Sequence, residues 1–569
     1  MLRLARSIID TVLGRKRPLE DDTDVPDEQL DPKRQKLDLI HRVKVNNLPE
    51  YEIPAVKKFF KDLGYDRVKK APEWRYGYIT VNSKEDALKC IETVNKTVFK
   101  NQELEAEYTP TSQQENRDRF MKNNKKKGKK QAKFDENDTR TPAEKLADQV
   151  TPLWKIPYEQ QLAKKNSKGI TQLKKLKLQI SQLKDVRDES QREWAMTKGP
   201  PCEILDPIAS PLLDGYRTKC EFTIGKDLDG KPTVGFLLGL YKEGIVSVLN
   251  PSECLNVNDT AKHMARVLND YILKSDLPVY DRVEKRGCWR TLLTKTQSTG
   301  DNLVLVQINS TDLSPQRVEQ EKQNLIKFWN EESGVHVTTL LFQDWTGSSN
   351  GFTDKAPIEV LTGDGYVYEE LLGCRFRLSA SAFFQVNTPA TEILYSKCAE
   401  WCSIDATKKT TLLDLCCGTG TIGITMAKSV DRVVGIELVP EAIVDAKANA
   451  KLNNIENVTY YASKVEDKID VVTGEKNEEV IAVLDPPRNG VHASVIRAVR
   501  DAQHIDRVIY ISCDSKQALP NFVSLCRPQS NRFRGIPFKP VRAVSIDLFP
   551  HTDHCELMVE FVRVKPETD

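Results

Sequence analysis

The chain has 569 residues, too many for one compact core, so two to four domains are expected. Hydrophobic residues make up 39% and charged residues 29%, the balance of soluble domains joined by polar linkers. No run approaches the roughly 18 apolar residues a membrane helix needs, so no membrane partner is expected. Lys and Arg number 84 against 82 Asp and Glu, and this net charge of +2 by itself selects no partner, although the basic residues concentrate in the first third.

The first 38 residues are charged, rich in Asp and Pro and poor in aromatics, the composition of a disordered tail. Met1 to Leu13 carries Arg3 and Arg6 against Asp10 and reads equally as a transit-type amphipathic helix or an ordinary frayed one. Arg15-Lys16-Arg17-Pro18 and Pro32-Lys33-Arg34-Gln35-Lys36 have the spacing of a bipartite nuclear localisation signal, a pattern that solvated tails also produce. Cytoplasm and nucleus are the expected compartments, with mitochondrial targeting as the alternative.

From His41 the pattern changes. Val43 to Leu48 alternates as a strand, Val56 to Leu63 is an amphipathic helix, Arg75 to Val81 an aromatic strand and Ser83 to Val94 a second helix. A βαββαβ order over 39–110 predicts a ferredoxin-like unit. It resembles an RNA recognition motif (RRM) domain, in which Tyr76 and Tyr78 stand where base-stacking aromatics are placed. Lys44 occupies a position usually aromatic, and Trp74-Arg75 replaces the usual basic-then-glycine pair. The alternative is a ferredoxin-like module that docks protein or grips only phosphate.

Residues 111–158 are expected to be a linker, with Lys122, Lys125, Lys126, Lys127, Lys129 and Lys130 too dense to build a core and suited to polyanions. Leu173, Leu176, Ile180 and Leu183 follow three-four spacing and predict a helix from Glu159 to Met196, within a helical segment 159–198 that packs onto the next domain. Residues 199–375 are strand-rich, as in Tyr216 to Ile224 and Leu303 to Ile308, and predict a separate α+β domain.

The last segment, 376–569, carries the chemistry. Thr411 to Leu415 is an apolar strand, Cys416-Cys417-Gly418-Thr419-Gly420-Thr421 a tight turn, and Ile422 to Lys428 a helix: the nucleotide-binding corner of a doubly wound α/β sheet. Gly418 and Gly420 let the backbone approach a ligand. The next strand ends in Glu437, 17 residues after Gly420, where a carboxylate can accept hydrogen bonds from the ribose hydroxyls of an adenosine cofactor. A nicotinamide dinucleotide would use the same geometry, but the turn lacks the third glycine that packs a helix beneath a pyrophosphate. S-adenosyl-L-methionine (SAM) has no pyrophosphate. Val480 to Leu484 then delivers Asp485-Pro486-Pro487-Arg488 at the ligand-binding edge. In base-amino methyltransferases an aromatic usually ends such a motif, so Arg488 argues against an exocyclic amine as methyl acceptor.

Arg507 to Ser512 places Cys513 at the end of the following strand. Carbon 5 of uracil becomes nucleophilic when a thiolate adds to carbon 6, and a base must later remove the carbon 5 proton so that the thiol can leave. The chemistry needs one cysteine and one base at the same ring edge. Glu556, at the entry to the final strand, is the candidate base.

Leu413 to Gly420, Asp485-Pro-Pro-Arg488, Ser512-Cys513-Asp514 and Asp547-x-Phe-Pro-x-Thr-x-His-x-Glu556 together resemble the signature set of the RNA 5-methyluridine methyltransferases, over roughly Gly199 to the C-terminus. The resemblance implies a multidomain α/β protein with a C-terminal Rossmann-like SAM-dependent domain. It implies Cys513 as nucleophile, Glu556 as base, and Gln385 (in Phe383-Phe384-Gln385-Val386-Asn387), Glu437 and Asp485 as cofactor contacts. Cys416 stands where the family places an aromatic beside the cofactor, and Arg488 is assigned to RNA. The chain lacks the N-terminal cysteine cluster of ribosomal-RNA relatives, which favours tRNA, at its T-loop uridine 54, over ribosomal or messenger RNA. A monomer is expected. The 13 scattered cysteines form neither a disulfide framework nor a zinc ladder, and His551, His554 and Cys555 lack a fourth ligand, so no metal is expected. Two other functions stay open: an RNA-binding or tRNA-folding chaperone, and cytosine methylation, which often uses a second cysteine that has no counterpart here.

Overall fold

The computed structural model describes residues 39–71, 73–100, 102–112, 139–184, 186–239, 247–347, 349–402, 407–469 and 478–564. The predicted tail and the lysine cluster of 122–130 lie outside these residues. The chain divides into two compact units, Met1–Asp138 and Thr139–Asp569.

In the first unit, β1 (Leu39–Asn46), α1 (Ile53–Asp62), β2 (Val68–Lys69), β3 (Gly77–Val81), α2 (Lys84–Val94) and β4 (Glu105–Tyr108) follow the βαββαβ order. The antiparallel sheet runs β2-β3-β1-β4. Alternation decides its faces: Val43, Val45 and Ile79 point inward onto Val56, Phe60, Ala87 and Cys90, all buried. Ser83 caps α2 by accepting from the Asp86 amide at 3.0 Å.

The second unit opens with α3 (Pro142–Val150) inside the predicted linker, where Thr141 and Glu144 form a capping box. Helix α4 (Tyr158–Ser181) ends earlier than its periodicity suggests. Arg192 donates to the carbonyls of Ser181 (3.2 Å) and Leu183 (2.6 Å), satisfying the broken end, and Asp188 starts a separate short turn.

The central sheet contains β6 (Lys219–Lys226), β7 (Pro232–Leu237), β8 (Val248–Leu249), β9 (Trp289–Thr296), β10 (Asn302–Ile308), β11 (Thr339–Asp344) and β12 (Ile358–Thr362), in the order β8-β7-β6-β9-β10-β11-β12. Helices α5 (Asp259–Lys274) and α6 (Pro315–Lys327) cover one face through Met264, Leu268 and Leu325. A hairpin of β13 (Tyr366–Leu371) and β14 (Cys374–Ser379) follows. The expected boundary at 375/376 therefore cuts a strand.

The C-terminal sheet is built from β15 (Lys409–Leu415), β16 (Arg432–Glu437), β17 (Val458–Ala462), β18 (Glu478–Leu484), β19 (Ile505–Ser512), β20 (Phe538–Ile546) and β21 (Glu556–Arg563). It is joined by β5 (Glu203–Ile204), and the order is β17-β16-β15-β18-β19-β21-β20-β5. The first five strands are parallel, and β21 is antiparallel to both neighbours. Both faces are covered, which explains strands apolar throughout. Leu413, Val434 and Ala482 face α4, α10 (Ala493–Asp501) and α11 (Ser515–Cys526), while Leu412, Val433 and Ile481 face α7 (Thr388–Cys402), α8 (Thr421–Met426) and α9 (Pro440–Leu452).

Two expectations change here. Residues 203–204, assigned to the central domain, pair with β20 in the C-terminal sheet. Helix α4 packs onto that same C-terminal sheet, through Leu173, Leu176 and Ile180, rather than onto the domain that follows it in sequence. An apolar stripe specifies that a face is covered, not by which element.

Leu413 is fully buried in the middle of the parallel strands. Leu413→Ala should lower the unfolding free energy of this unit by about 2–5 kcal/mol in urea titration. A loss under about 1 kcal/mol would contradict this packing.

Candidate active site

The cofactor corner begins where β15 ends. Cys416 (φ 71°), Gly418 (φ 53°) and Gly420 (φ 82°) all take left-handed backbone, which turns the chain sharply into α8. Gly420 admits no side chain, since a Cβ there would lie 2.5 Å from the Tyr460 hydroxyl oxygen. Above Gly418 the space is open. The amides of Cys416 and Cys417 donate to the Ile436 carbonyl (2.9 and 3.2 Å), locking the turn to β16. Glu437 accepts from the Gly418 amide at 3.2 Å and the Val439 amide at 3.0 Å, so its carboxylate sits on the turn itself.

Asp485 leaves β18 at the same edge. Gln385 reaches it from the segment before α7, its Nε2 donating to Asp485 Oδ2 at 3.5 Å. Burial pushes the Asp485 carboxyl up to about 7. Asp414, inside β15, is also pushed up to about 7 by burial, with the Gly423 amide at 2.9 Å opposing the rise. It was legible as the one acid in an apolar strand, and its role is to hold the start of α8. Tyr460 was not legible: its hydroxyl is buried beside Gly420 without a hydrogen-bond partner.

Cys513 and Glu556 meet through strand register. Strands β19 and β21 pair antiparallel from Arg507↔Val562 to Ser512↔Leu557, and continuing that register past its last pair brings Cys513 to Glu556. Directly opposed residues on antiparallel strands have Cα atoms about 4.5–5.5 Å apart. Cys513 is held from its other side, because Asp514 caps α11 by accepting from the amides of Lys516 (3.1 Å) and Gln517 (3.2 Å). Both residues line a cleft of about 340 Å³ with Lys165, Gln172 and His554.

The electrostatics are lopsided. Glu556 is 2% exposed and its Oε2 has no hydrogen-bond partner. Burial, and then the nearby Asp485, pushes its carboxyl well above the ordinary carboxylate range, with Arg488 opposing. Burial, then Glu556 and Asp485, raises the Cys513 thiol to about 12, and Arg488 again opposes. Carboxylates thus gather at the strand ends, with the Arg488 guanidinium opposing the rise of both Cys513 and Glu556. A cationic adenosine cofactor fits that donor set: carboxylates for a sulfonium and ribose, and an open glycine turn for close approach.

Arg488 is exposed and lines a second cleft of about 410 Å³ with Tyr216, Arg217, Phe549, Thr552 and His554. Tyr216 ties the central sheet to this wall, its hydroxyl donating to the Pro550 carbonyl at 3.0 Å. His554 borders both clefts, and burial, with Arg488, lowers its imidazole. His551 contacts Gln161 (3.2 Å) and Asp214 (2.8 Å), while Cys555 donates to the Ile546 carbonyl (3.2 Å). His551 and Cys555 therefore hold the loop. Cys416 lies half-buried in the turn, its thiol raised to about 12 by burial.

Tyr76 and Tyr78 belong to the other compact unit. Lys44 lies 5.4 Å from the Tyr76 ring and Arg42 lies 4.9 Å from that of Tyr78, on the sheet face opposite the core. Trp74 stacks on Tyr76 with centroids 4.9 Å apart. The aromatic expected in β1 is absent, and Trp74 supplies a third ring instead.

Because Glu556 titrates higher folded than unfolded, its ionisation opposes folding. The stability it contributes is complete below its unfolded value and is lost as pH rises through its folded one. Glu556→Gln should therefore raise the melting temperature at pH 8 relative to the parent, and the advantage should vanish near pH 4. Equal differences at both pH values would refute the assignment.

A family model described as tRNA (Uracil-5-)-methyltransferase matches residues 369–564. The chain is 37% identical over 435 residues to the human tRNA (uracil-5-)-methyltransferase homolog A, covering 76% of this chain and 69% of the relative. It is 36% identical over 428 residues to the Danio rerio homolog B, covering 74% of this chain and 87% of that protein. Its fold is similar to a crystal structure of Pyrococcus abyssi tRNA (uracil-54, C5)-methyltransferase in complex with S-adenosyl-L-homocysteine, with a TM-score of 0.52 and 20% identity over 72% of this chain and 85% of that one. With its glycine turn, its strand-end carboxylates and Cys513 set opposite Glu556, the chain belongs to the tRNA (uracil-5-)-methyltransferase family.

Proposed function

We propose that this protein methylates carbon 5 of a uridine in tRNA from SAM, with Cys513 as nucleophile and Glu556 as base. The observation that carries the proposal is the register that opposes Cys513 to the unpartnered Glu556 carboxyl beside Asp485. The names of the relatives support tRNA, and the archaeal structure's uracil-54 supports the T-loop uridine at position 54.

Bound SAM would supply an electrophilic methyl group on a sulfonium, and Gln385, Gly418, Gly420, Glu437 and Asp485 would hold it. The Cys513 thiol gives its proton to solvent and its sulfur bonds to uracil carbon 6, moving the ring double-bond electrons toward the carbon 4 oxygen. Carbon 5, made nucleophilic by that addition, would then take the methyl group from the bound donor, which would leave as a neutral thioether. Glu556, a stronger base than an ordinary carboxylate, accepts the carbon 5 proton. Those electrons restore the carbon 5–carbon 6 double bond, and the Cys513–carbon 6 bond breaks to return the thiolate. Arg488 opposes the rise in both groups and lies in the adjoining cleft, where it would meet an RNA phosphate or base edge.

The first unit supports a second contact with RNA. Trp74, Tyr76 and Tyr78 beside Arg42 and Lys44 make an aromatic, basic face suited to stacking unpaired bases, as in an RRM. The same face favours the chaperone function as a second reading. Full rescue of cells lacking the protein by the Cys513→Ala variant would select it over catalysis.

Cys513→Ala should abolish 5-methyluridine formation in a tRNA transcript while SAM binding survives. Undiminished product would overturn the mechanism. Arg488→Met should move the alkaline rise of the pH–rate profile upward and lower kcat/KM for RNA near neutrality several-fold. A shift toward acid would contradict the role given to Arg488.

A further inference from the structure

Helix α4 lies outside the span matched by the family model, yet it grips the loop that ends at Glu556. Lys165 Nζ donates to both carboxylate oxygens of Asp547, each at 2.8 Å, and to the Phe549 carbonyl at 3.0 Å. The side chains of Lys165 and Asp547 are both fully buried. Asp547 also accepts from the Tyr158 hydroxyl at 3.2 Å and from the Phe549 amide at 2.9 Å, and the Tyr158 oxygen accepts from the Ser210 amide at 2.8 Å. Asp547 follows directly on Ile546, and Ile546 pairs with Glu556 across the hairpin. The residue that Lys165 holds therefore opens the loop whose other end is the candidate base.

The helix comes this close because Gly169 has no side chain. A Cβ there would stand 3.2 Å from Leu557 Cδ1 and 3.4 Å from Ser545 Oγ, residues next to Glu556 and Ile546. Lys165 lines the same cleft as Cys513 and Glu556. A buried cation paired with a buried carboxylate fixes its partner tightly, because any displacement leaves a charge unpaired away from water. A base displaced by about 1 Å loses on the order of 100-fold in rate.

We propose that Lys165 is a positioning residue for methyl transfer: through Asp547 it holds the 547–556 loop so that Glu556 meets the carbon 5 proton. It rests on the function proposed above. Addition of Cys513 to carbon 6 and transfer of the methyl group do not use Glu556, whereas removal of the proton does. A misplaced base therefore stalls the reaction after methyl transfer, with the Cys513–carbon 6 bond still intact.

The test uses the full chain with a tRNA transcript, the same transcript containing 5-fluorouridine, and labelled SAM. The parent must form 5-methyluridine; a parent that forms none overturns both the proposed function and this inference. Lys165→Met is expected to lower turnover at least 10-fold. It should keep SAM affinity and the yield of fluorouridine adduct within about 2-fold, and it should accumulate a denaturant-stable RNA–protein adduct on ordinary uridine. Turnover within 2-fold of an active parent overturns this inference alone. So does a loss of turnover with equal losses of SAM binding and fluorouridine adduct, which marks a purely structural pair. If Lys165→Met does not fold, Tyr158→Phe removes one hydrogen bond to Asp547 without stranding a charge. It should show the same adduct on ordinary uridine with a several-fold loss of turnover, and parental turnover without that adduct overturns the inference.

Discussion

The antiparallel pairing of Ile505–Ser512 with Glu556–Arg563 is the contact on which the site depends. Five parallel strands deliver their C-terminal ends to one edge, and that arrangement alone makes a ligand crevice. The reversed strand Glu556–Arg563 begins at this edge where its parallel neighbours finish, so its first residue lands beside their last. A one-residue slip would turn the Glu556 side chain to the opposite face of the sheet and separate the two groups. Buried Met558 on one face, with Leu557 and Val559 on the other, hold the register against such a slip.

The same convergence creates the electrostatic character of the edge. Asp414, Glu437, Asp485 and Glu556 each lie at or beside a strand end; Asp485 and Glu437 help to raise Asp414, and Asp485 helps to raise Glu556. A site built only for stability would pair these carboxyls. Here Glu556 Oε2 stays unpaired, and burial with the neighbouring carboxylates raises the Cys513 thiol. The fold tolerates this strain because the surrounding strands are buried on both faces and supply the compensating stability.

Segments distant in sequence complete the site. Tyr216 comes from the central region, Gln385 from the segment before Thr388–Cys402, and Lys165 from a helix that precedes both sheets. Helix Tyr158–Ser181 and strand Glu203–Ile204 extend the C-terminal sheet's architecture well before residue 376, so a linear division into substrate and catalytic domains describes the chain imperfectly.

Much of this was legible in the residues themselves. The apolar strand before Cys416, the glycines at 418 and 420, and the acids at 437 and 485 announce a cofactor sheet, because backbone sterics and strand burial act locally. Cys513 and Glu556 are the pair that uracil chemistry leads one to expect, and the fold sets both along one cleft. Tyr78 could be placed on a sheet by alternation, but Trp74 could not be seen stacking on Tyr76, since ring contacts depend on how the chain enters the strand. Nor could the sequence show that Leu173, Leu176 and Ile180 cover the C-terminal sheet, that Tyr460 closes over Gly420, or that Lys165 reaches Asp547 across more than half the chain. Local pattern determines which face of an element is apolar and which residue types gather at a turn. Only tertiary packing decides which face meets which, because that choice is settled by complementarity between surfaces that the chain brings together after its elements form.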